Sequence, residues 1–312
     1  MTSPPRLRLA SANGMMALHC RVSDFRHGAA RHNQEHLTAM ATNRITIANN
    51  LLATLPHKDY KLLLPGLKPV ELTFGEILYE PGAPIRHVYF PNDSLVSLLT
   101  LVEGHLALEV GLVGREGMLG ISLALGVNIS PVRALVQGAG TALRMTSARF
   151  LQDFRRSLPL QREIYRYTHV LMAQVTQTAA CNRFHVVEAR LARWLLMTSD
   201  RLSSNEFHLT QEFLAHMLGV RRVGVTKAAS ALQRHKLISY SRGNIRILDR
   251  KGLEAASCPC YEMVRDMHER VANRPERHGN QRKTRIGVTA SGPNDRPGPL
   301  SRAPQVTADA VT

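Results

Sequence analysis

The segment from Thr210 to Asp249, TQEFLAHMLGVRRVGVTKAASALQRHKLISYSRGNIRILD, constrains the fold more than any other part of the chain. A first helix is predicted over residues 211–218, because two leucines four residues apart lie on one helical face. Gly219 follows and supplies a tight turn, since glycine adopts the left-handed backbone at little cost. A second helix is predicted from about Arg221. This spacing is typical of a helix-turn-helix, although an ordinary helical hairpin has the same apolar periodicity.

The second predicted helix has one apolar face and one basic face. Three apolar residues at helical spacing point inward, whereas Arg222, Thr226 and Lys227 point outward. The second helix of a DNA-binding helix-turn-helix enters the major groove and reads bases with its N-terminal residues. Residues 238–249, ISYSRGNIRILD, then predict two short strands around an Arg-Gly-Asn turn, which is a wing. We therefore interpret the segment as a winged helix-turn-helix that binds double-stranded DNA.

The distribution of charge agrees with this interpretation. The chain has a net charge of +16, and residues 183–251 alone hold 13 basic and 5 acidic residues. Half of the excess therefore surrounds the motif, whereas residues 45–182 hold 12 basic and 10 acidic residues. Neutralising phosphates supplies most non-specific affinity for DNA. A membrane surface or RNA would also attract positive charge, but neither explains the helix-turn-helix spacing.

The sequence lacks the patterns that are typical of membrane proteins, of exported proteins and of enzymes. No apolar run approaches the ~20 residues of a membrane span, and no signal-peptide pattern follows the basic N-terminus. We therefore expect a cytoplasmic protein with no membrane partner. The sequence contains no nucleophile elbow, phosphate-cradling loop or pair of catalytic carboxylates, which predicts that it is not an enzyme.

The four cysteines do not indicate a disulfide framework in a chain of this length. Cys258 and Cys260, with His268 nearby, could be imagined as metal ligands. Their spacing matches no common zinc pattern, and a fourth ligand is missing. We therefore predict incidental thiols and no metal site.

The rest of the chain changes its periodicity twice. Short β-rich runs broken by glycine and proline extend from Val70 to Met145, which predicts a compact antiparallel roll. Helical spacing returns after Phe150. The fold class is therefore α+β. The predicted organisation is a disordered arm at 1–44, a β-roll at 45–150, a dimerisation helix at 151–184, a winged helix-turn-helix at 185–258, a short helix at 259–272 and a disordered basic tail at 273–312.

This order of parts resembles the bacterial transcription regulators of the Crp/Fnr superfamily over roughly residues 50–258. The resemblance is strongest at LTQEFLAHMLGVRRVGVTKAASALQRHKLI and good at PGAPIRHVYFPNDSLVSLL and GTALRMTSARF. It implies a cyclic-nucleotide-binding-like β-roll of the cupin or jelly-roll type. It also implies a homodimer joined along the long helix, paired winged helices on a palindromic operator, and RNA polymerase as a partner.

The resemblance assigns the DNA contacts to particular residues. Base reading falls on Arg222, Val223 and Lys227. Several family members carry a glutamate where this chain has Val223, and valine cannot accept a hydrogen bond from cytosine. The operator is therefore expected to differ from that of the cyclic-AMP receptor. The residues assigned to phosphate contacts are Thr210, Gln211, Arg221, Thr226 and Arg242.

The long helix has apolar residues at alternating steps of three and four, a pattern typical of a two-helix seam. The same stripe would also suit packing against the helix's own domain. Together with the resemblance, the pattern favours a seam between subunits. The predicted seam residues are Ile164, Tyr167, Leu171, Val175 and Thr178.

Of the predicted features, the effector molecule of the β-roll is the one that the sequence determines least. Family members that bind a cyclic nucleotide hold it with a glycine-glutamate pair and a downstream arginine followed by a hydroxyl residue, but the corresponding stretch here reads GREGMLGISLALGVNISPVRAL. Ser130 and Pro131 stand near the arginine and hydroxyl positions, which leaves Glu116 and Arg133 as displaced substitutes. We therefore expect no cyclic-nucleotide cofactor. With only Cys20 in the arm, an N-terminal four-thiolate iron–sulfur cluster cannot form. Haem, an unknown effector, none at all, and a sensory module that acts on a protein partner instead of DNA all stay open.

Overall fold

A computed structural model describes residues 48–102 and 105–272 of the chain. The predicted arm at 1–44 and the predicted tail at 273–312 lie outside these residues. Within them the chain forms a roll of strands, then two helices, then a winged helix-turn-helix. This is the predicted α+β fold class, which is confirmed.

Two short helices lead into the roll, α1 at Asn50–Ala53 and α2 at His57–Leu63. The side chain of Asn49 begins α1 by accepting a hydrogen bond from the backbone N–H of Leu52 at 3.1 Å. Its amide nitrogen also donates to two backbone carbonyls of the roll. The lead-in is therefore tied to the sheets by a buried polar side chain.

Each β-rich run of the sequence forms one strand. The strands pair antiparallel in two sheets, with the orders β1-β7-β3 and β2-β6-β4-β5. Apolar side chains such as Val88, Phe90 and Leu143 are fully buried in a core that also takes residues from α1 and α2. The strands are β1 Lys68–Leu72, β2 Ile77–Tyr79, β3 His87–Pro91, β4 Leu95–Val102, β5 His105–Val113, β6 Arg133–Gly138 and β7 Gly140–Thr146.

Two helices follow the roll, α3 at Ser147–Arg156 and α4 at Leu158–Phe184. The helical stretch predicted over 151–184 is therefore interrupted, and Ser157 is the reason. Its extended backbone ends α3, and its hydroxyl accepts from the N–H of Leu160 at 3.2 Å to begin α4. Serine stabilises such a position because its oxygen replaces a missing backbone acceptor.

The winged helix-turn-helix follows the long helix directly. β8 was not predicted, because three residues are too few for a period-two signal; it adds a strand beside β10, in the order β8-β10-β9. The elements are α5 Val187–Leu202, β8 Glu206–His208, α6 Gln211–Leu218, α7 Arg222–Arg234, β9 Ile238–Ser241, β10 Asn244–Ile247, α8 Arg250–Ala256 and α9 Cys260–Ala272.

The roll and the winged helix share a second apolar core. Leu95 and Leu112, from β4 and β5, are buried in one cluster with residues of α5 and α6. The turn residue Gly219 lies against Leu108 of β5, since a Cβ there would come within 2.6 Å of that side chain. The helices α4 and α5 meet at His185, close to the boundary predicted between the dimerisation helix and the winged helix-turn-helix. Apolar packing nevertheless continues from the roll to the winged helix.

The face of α4 predicted as a subunit seam lies against the chain itself. Ile164, Tyr167 and Thr178 are buried within one subunit, and Ile164 is 0% exposed. Leu171 and Val175 are half-buried and line a cavity under the roll. The first three residues therefore cannot form a seam between subunits. The alternating spacing had identified the buried face of an amphipathic helix, which is the same for both kinds of packing.

A different stripe of α4 is exposed. Leu158, Tyr165 and Met172 are 63%, 49% and 64% exposed. They stand seven residues apart, and exposed Ala179 continues the series. A seven-residue repeat keeps these side chains on one side of a helix pair. The solvent-facing side of the long helix therefore carries its own apolar repeat.

Candidate nucleic-acid interface

The local sequence positions α6 and α7 as a helix-turn-helix. Thr210 caps α6, because its hydroxyl accepts from the N–H of Phe213 at 3.1 Å. Gly219 ends α6 in the left-handed conformation with φ 61°. Arg221 precedes α7 and makes no side-chain cap hydrogen bond. The first N–H groups of α7 are therefore available to an anion such as a DNA phosphate.

The predicted base-reading residues lie together on the exposed face of α7. Val225 and Leu232 are fully buried and pack the opposite face of α7 against the domain. Arg222, Val223 and Lys227 are exposed near the start of the helix. Val223 is 58% exposed, so an apolar side chain stands in solvent beside two cations. This arrangement offers hydrogen-bond donors and one methyl-bearing side chain to a groove.

The predicted phosphate-contacting residues surround that face. Thr210, Arg221 and Thr226 are exposed, and Gln211 is half-exposed. The hydroxyl of Thr226 donates to the side-chain oxygen of Gln211 at 2.7 Å, which joins α7 to α6. The amide N–H groups of Gln211 are thereby left for another acceptor.

Arg242 occupies the tip of the wing. The strands β9 and β10 pair with Ser241 opposite Asn244, so only two residues form the turn. Arg242 and Gly243 both have positive φ, 49° and 86°. Two such residues make a hairpin turn whose twist matches the strands. Arg242 is exposed there, at the end of the wing.

Several cations counted in the sequence do not face solvent. Arg190, Arg193 and Arg201 are each less than 10% exposed. Arg190 donates to the carbonyl of Leu218, at the end of α6, and to Asn182 at 2.7 Å. Part of the local charge excess therefore stabilises the domain from inside. The charge offered to DNA is smaller than the sequence predicts.

A cavity of about 390 Å³ lies between the roll and α4. None of the described residues that line it is charged; the polar groups come from tyrosine, serine and threonine, and the rest are apolar. Ser130 and Pro131 both line it, and the hydroxyl of Ser130 donates to the carbonyl of Val132 at 2.7 Å. The described lining offers no cation to an anionic ligand.

Glu116 and Arg133, the displaced substitutes for a nucleotide clamp, have other partners. Glu116 accepts from Nε of Arg201 at 2.7 Å in a mostly buried ion pair with α5. Burial alone would raise the pKa of Glu116, but the charges of Arg201 and His268 and the hydrogen bonds to the carboxylate together hold the pKa below its ordinary value. Arg133 pairs with Glu80 at 2.9 Å. Neither residue lines the cavity.

The sequence analysis did not bring together one cluster of potential metal ligands. The prediction of no metal site depended on the lack of a fourth ligand near Cys258 and Cys260. The fold brings Cys181 and His185, more than 70 residues earlier, to the same place. Their spacing of four residues at the end of α4 was the available signal. His268 instead lies in a pocket beside Glu116 and Arg201.

Residues 189–256 match the family model of the Crp-like helix-turn-helix domain. A crp/fnr family transcriptional regulator from Eubacterium rectale is similar with a TM-score of 0.54 and 19% identity, over 66% of this chain and 96% of that one. FixK2 from Bradyrhizobium japonicum has a TM-score of 0.54 and 14% identity, over 62% and 98%. The c-di-GMP responsive regulator CLP of Xanthomonas campestris has a TM-score of 0.52 and 17% identity, over 62% and 99%. No curated protein matches the chain.

The described part of the chain contains no helix with the length and hydropathy needed to span a bilayer. The similarity to solved structures establishes the fold of the roll, long helix and winged helix. The family-model match identifies the helix-turn-helix independently. Residues 189–256 therefore form a Crp-like helix-turn-helix domain, and the described chain has the fold of the crp/fnr family regulators to which it is similar.

Proposed function

We propose that the chain is a sequence-specific regulator that binds a palindromic operator as a homodimer and acts on RNA polymerase. The α7 helix of each subunit would enter a major groove, and the wing would lie on the adjoining backbone. The observation that carries the proposal is the exposed, basic start of α7 on a well-packed helix-turn-helix. A role through a protein partner alone would leave this face unused.

The three predicted base-reading residues of α7 would each have a distinct chemical use. Arg222 can donate two parallel hydrogen bonds to O6 and N7 of guanine, and Lys227 can donate to guanine or to a phosphate. Val223 has no hydrogen-bonding group and would pack on a thymine methyl group. The phosphate contacts fall on the residues around them, which are Thr210, Gln211, Arg221, Thr226 and Arg242.

Selecting bound fragments from random duplex DNA and sequencing them would supply the operator for anisotropy measurements. We expect Arg222→Ala to weaken binding to the best site by about 1–3 kcal/mol and to relax the preference at one base pair per half-site. Arg221→Ala is expected to weaken all sequences alike and to reduce the salt dependence of binding. Arg155→Ala removes the same charge from an exposed position on α3 and is the matched control.

Two results would contradict the proposal. The first is specific binding by Arg222→Ala that equals binding by the Arg155→Ala control. The second is a selected site without two-fold symmetry, because two identical subunits related by a two-fold axis read identical half-sites.

We also propose that the cavity does not bind a cyclic nucleotide, and we assign no cofactor to it. A cyclic phosphate carries a negative charge, and burying it without a cation loses a charge-assisted pair. Saturating cyclic AMP is therefore expected to leave both the Tm and the operator affinity unchanged. Calorimetric binding of cyclic AMP at one site per subunit would contradict this part of the proposal and leave the DNA-binding part untouched.

A further inference from the structure

Four side chains with metal-binding atoms meet where the long helix ends. Cys181 lies in the last turn of α4, and His185 follows that helix directly. Cys258 precedes Pro259, and Cys260 begins α9. The three sulfur atoms and one imidazole nitrogen all lie within 4.8 Å of one another. The three cysteines are buried, and His185 is half-buried. Two segments distant in the sequence thus contribute two ligand atoms each.

The distances match a tetrahedral site for one ion. Sγ of Cys181 lies 3.5 Å from Sγ of Cys258, and Sγ of Cys260 lies 3.4 Å from Nδ1 of His185. Zinc bonds of about 2.3 Å to sulfur and about 2.0 Å to nitrogen place the corners of a tetrahedron roughly 3.5–3.8 Å apart. The remaining ligand atoms, all within 4.8 Å of one another, would have to move by at most about 1 Å to enclose such an ion.

The four ligand atoms limit which metal ions the site could bind. Three thiols and one imidazole are soft or borderline ligands, whereas calcium and magnesium require oxygen. A polynuclear iron–sulfur cluster places several iron and sulfide atoms between its cysteines, which needs a wider spacing than this one. A Cys₃His set around one ion is a common structural zinc site.

Two buried arginines, Arg190 and Arg193, carry positive charge beside the thiols. Nε and Nη1 of Arg193 and Nε of Arg190 are buried without a hydrogen-bond partner among the described residues. Three thiolates around a divalent ion leave one negative charge, which one of these two buried guanidinium groups is enough to balance. The amide of Gln177 also donates to Sγ of Cys260 at 3.0 Å.

We propose that Cys181, His185, Cys258 and Cys260 bind one zinc ion, which fastens the end of α4 to the segment that follows the winged helix. His185 stands at the junction of α4 and α5, so the ion would restrict the angle at which the winged helix leaves the long helix. The site does not depend on the proposed DNA binding. A Cys181–Cys258 disulfide is the competing use of these thiols.

The full chain, purified under reducing conditions, is expected to hold one zinc per subunit by elemental analysis. After replacement of zinc by Co²⁺, the protein should show the strong ligand-field bands of a tetrahedral site and a sulfur-to-cobalt charge-transfer band. Cys258→Ser and Cys260→Ser should lose or weaken that band, and His185→Ala should alter the ligand-field bands. Cys20→Ser changes the one cysteine of the sequence outside the proposed site, and it should leave the ligand-field and charge-transfer bands unchanged.

A second measurement needs no variant. Zinc removed from the wild-type protein by a chelator and then added back should raise the Tm and protect three thiols per subunit from alkylation. Less than a stoichiometric amount of metal after this addition would overturn the proposal. A Cys181–Cys258 disulfide that persists in reductant, or a cobalt spectrum equal in wild type and Cys258→Ser, would overturn it too.

Discussion

Glu109 places a carboxyl group in the apolar contact between β5 and α5. Oε1 of Glu109 accepts from Nε1 of Trp194 at 2.9 Å, and Oε2 lies 2.8 Å from Oγ of Ser97. That hydroxyl also bonds Oε1 of Gln137, and it has a single proton to donate. This one proton cannot serve both Glu109 and Gln137. A protonated Glu109 would donate its own proton to Oγ of Ser97, which leaves the Ser97 proton for Gln137. Burial accordingly raises the pKa of Glu109 from 4.5 to about 7.

This raised pKa makes stability depend on pH in a defined direction. The folded chain retains a proton that the unfolded chain releases, so the free energy of unfolding falls as pH rises from the unfolded pKa through the folded one. Between about pH 4.5 and 7 the loss is on the order of 3 kcal/mol.

Glu109→Gln mimics the protonated side chain, so its free energy of unfolding should lack this dependence on pH. Urea unfolding of both proteins, measured across that pH range, tests the prediction. A wild-type-minus-variant difference that is the same at every pH would mean that Glu109 is ionised in the folded chain.

At the scale of elements, the exposed apolar repeat of α4 is the surface most suited to a subunit seam. Leu158, Tyr165 and Met172 recur every seven residues with exposed side chains, and Met172 also borders the cavity between the roll and α4. In an antiparallel or parallel pair such a repeat buries side chains that one subunit leaves in water. We therefore place the seam of the proposed homodimer on this stripe and not on Ile164 and Tyr167.

Met172→Glu is expected to convert the dimer to a monomer, because it brings like charges together at a two-fold axis. Analytical ultracentrifugation should show half the mass, while circular dichroism stays unchanged because Met172 is 64% exposed. Leu248→Glu, at a side chain 55% exposed on the winged helix, is the matched control. Wild-type protein that sediments as a monomer at micromolar concentration would contradict the seam.

For the whole molecule, a buried polar network joins the roll, the long helix and the winged helix. Arg201 of α5 pairs with Glu116 at 2.7 Å and donates to the side-chain oxygen of Gln174, on α4, at 2.9 Å. Gln174 in turn donates to the carbonyl of Leu112 at 3.0 Å. One guanidinium group therefore connects three parts of the chain.

Arg201→Met should destabilise the chain by about 3–5 kcal/mol, since it leaves the buried carboxylate of Glu116 without its cation. The double variant Arg201→Met, Glu116→Gln removes both charges and should recover a large part of that loss. Urea unfolding of the wild type, both single variants and the double variant measures the coupling. Strictly additive effects of the two substitutions would show that the pair contributes no specific stability.

The local elements of this protein could be predicted from its sequence. The helix-turn-helix, the wing and the strands of the roll depend on periodicity, glycine placement and capping, which act over a few residues. The helix from Gln211 and the turn at Gly219 lie where the spacing predicted them. The exposed residues Arg222, Val223 and Lys227 follow from the same periodicity, because the apolar positions of α7 determine which side faces water.

Contacts between distant segments depended on the tertiary structure. The spacing of Ile164 and Tyr167 identified a buried face but not what buries it, since packing within a subunit and between subunits requires the same pattern. Three arginines that count as surface charge in the sequence are internal. Cys181 and Cys258 are 77 residues apart, and only the closed core brings their sulfur atoms to 3.5 Å. Local backbone geometry determines each element, whereas the long-range packing of their faces determines which side chains meet.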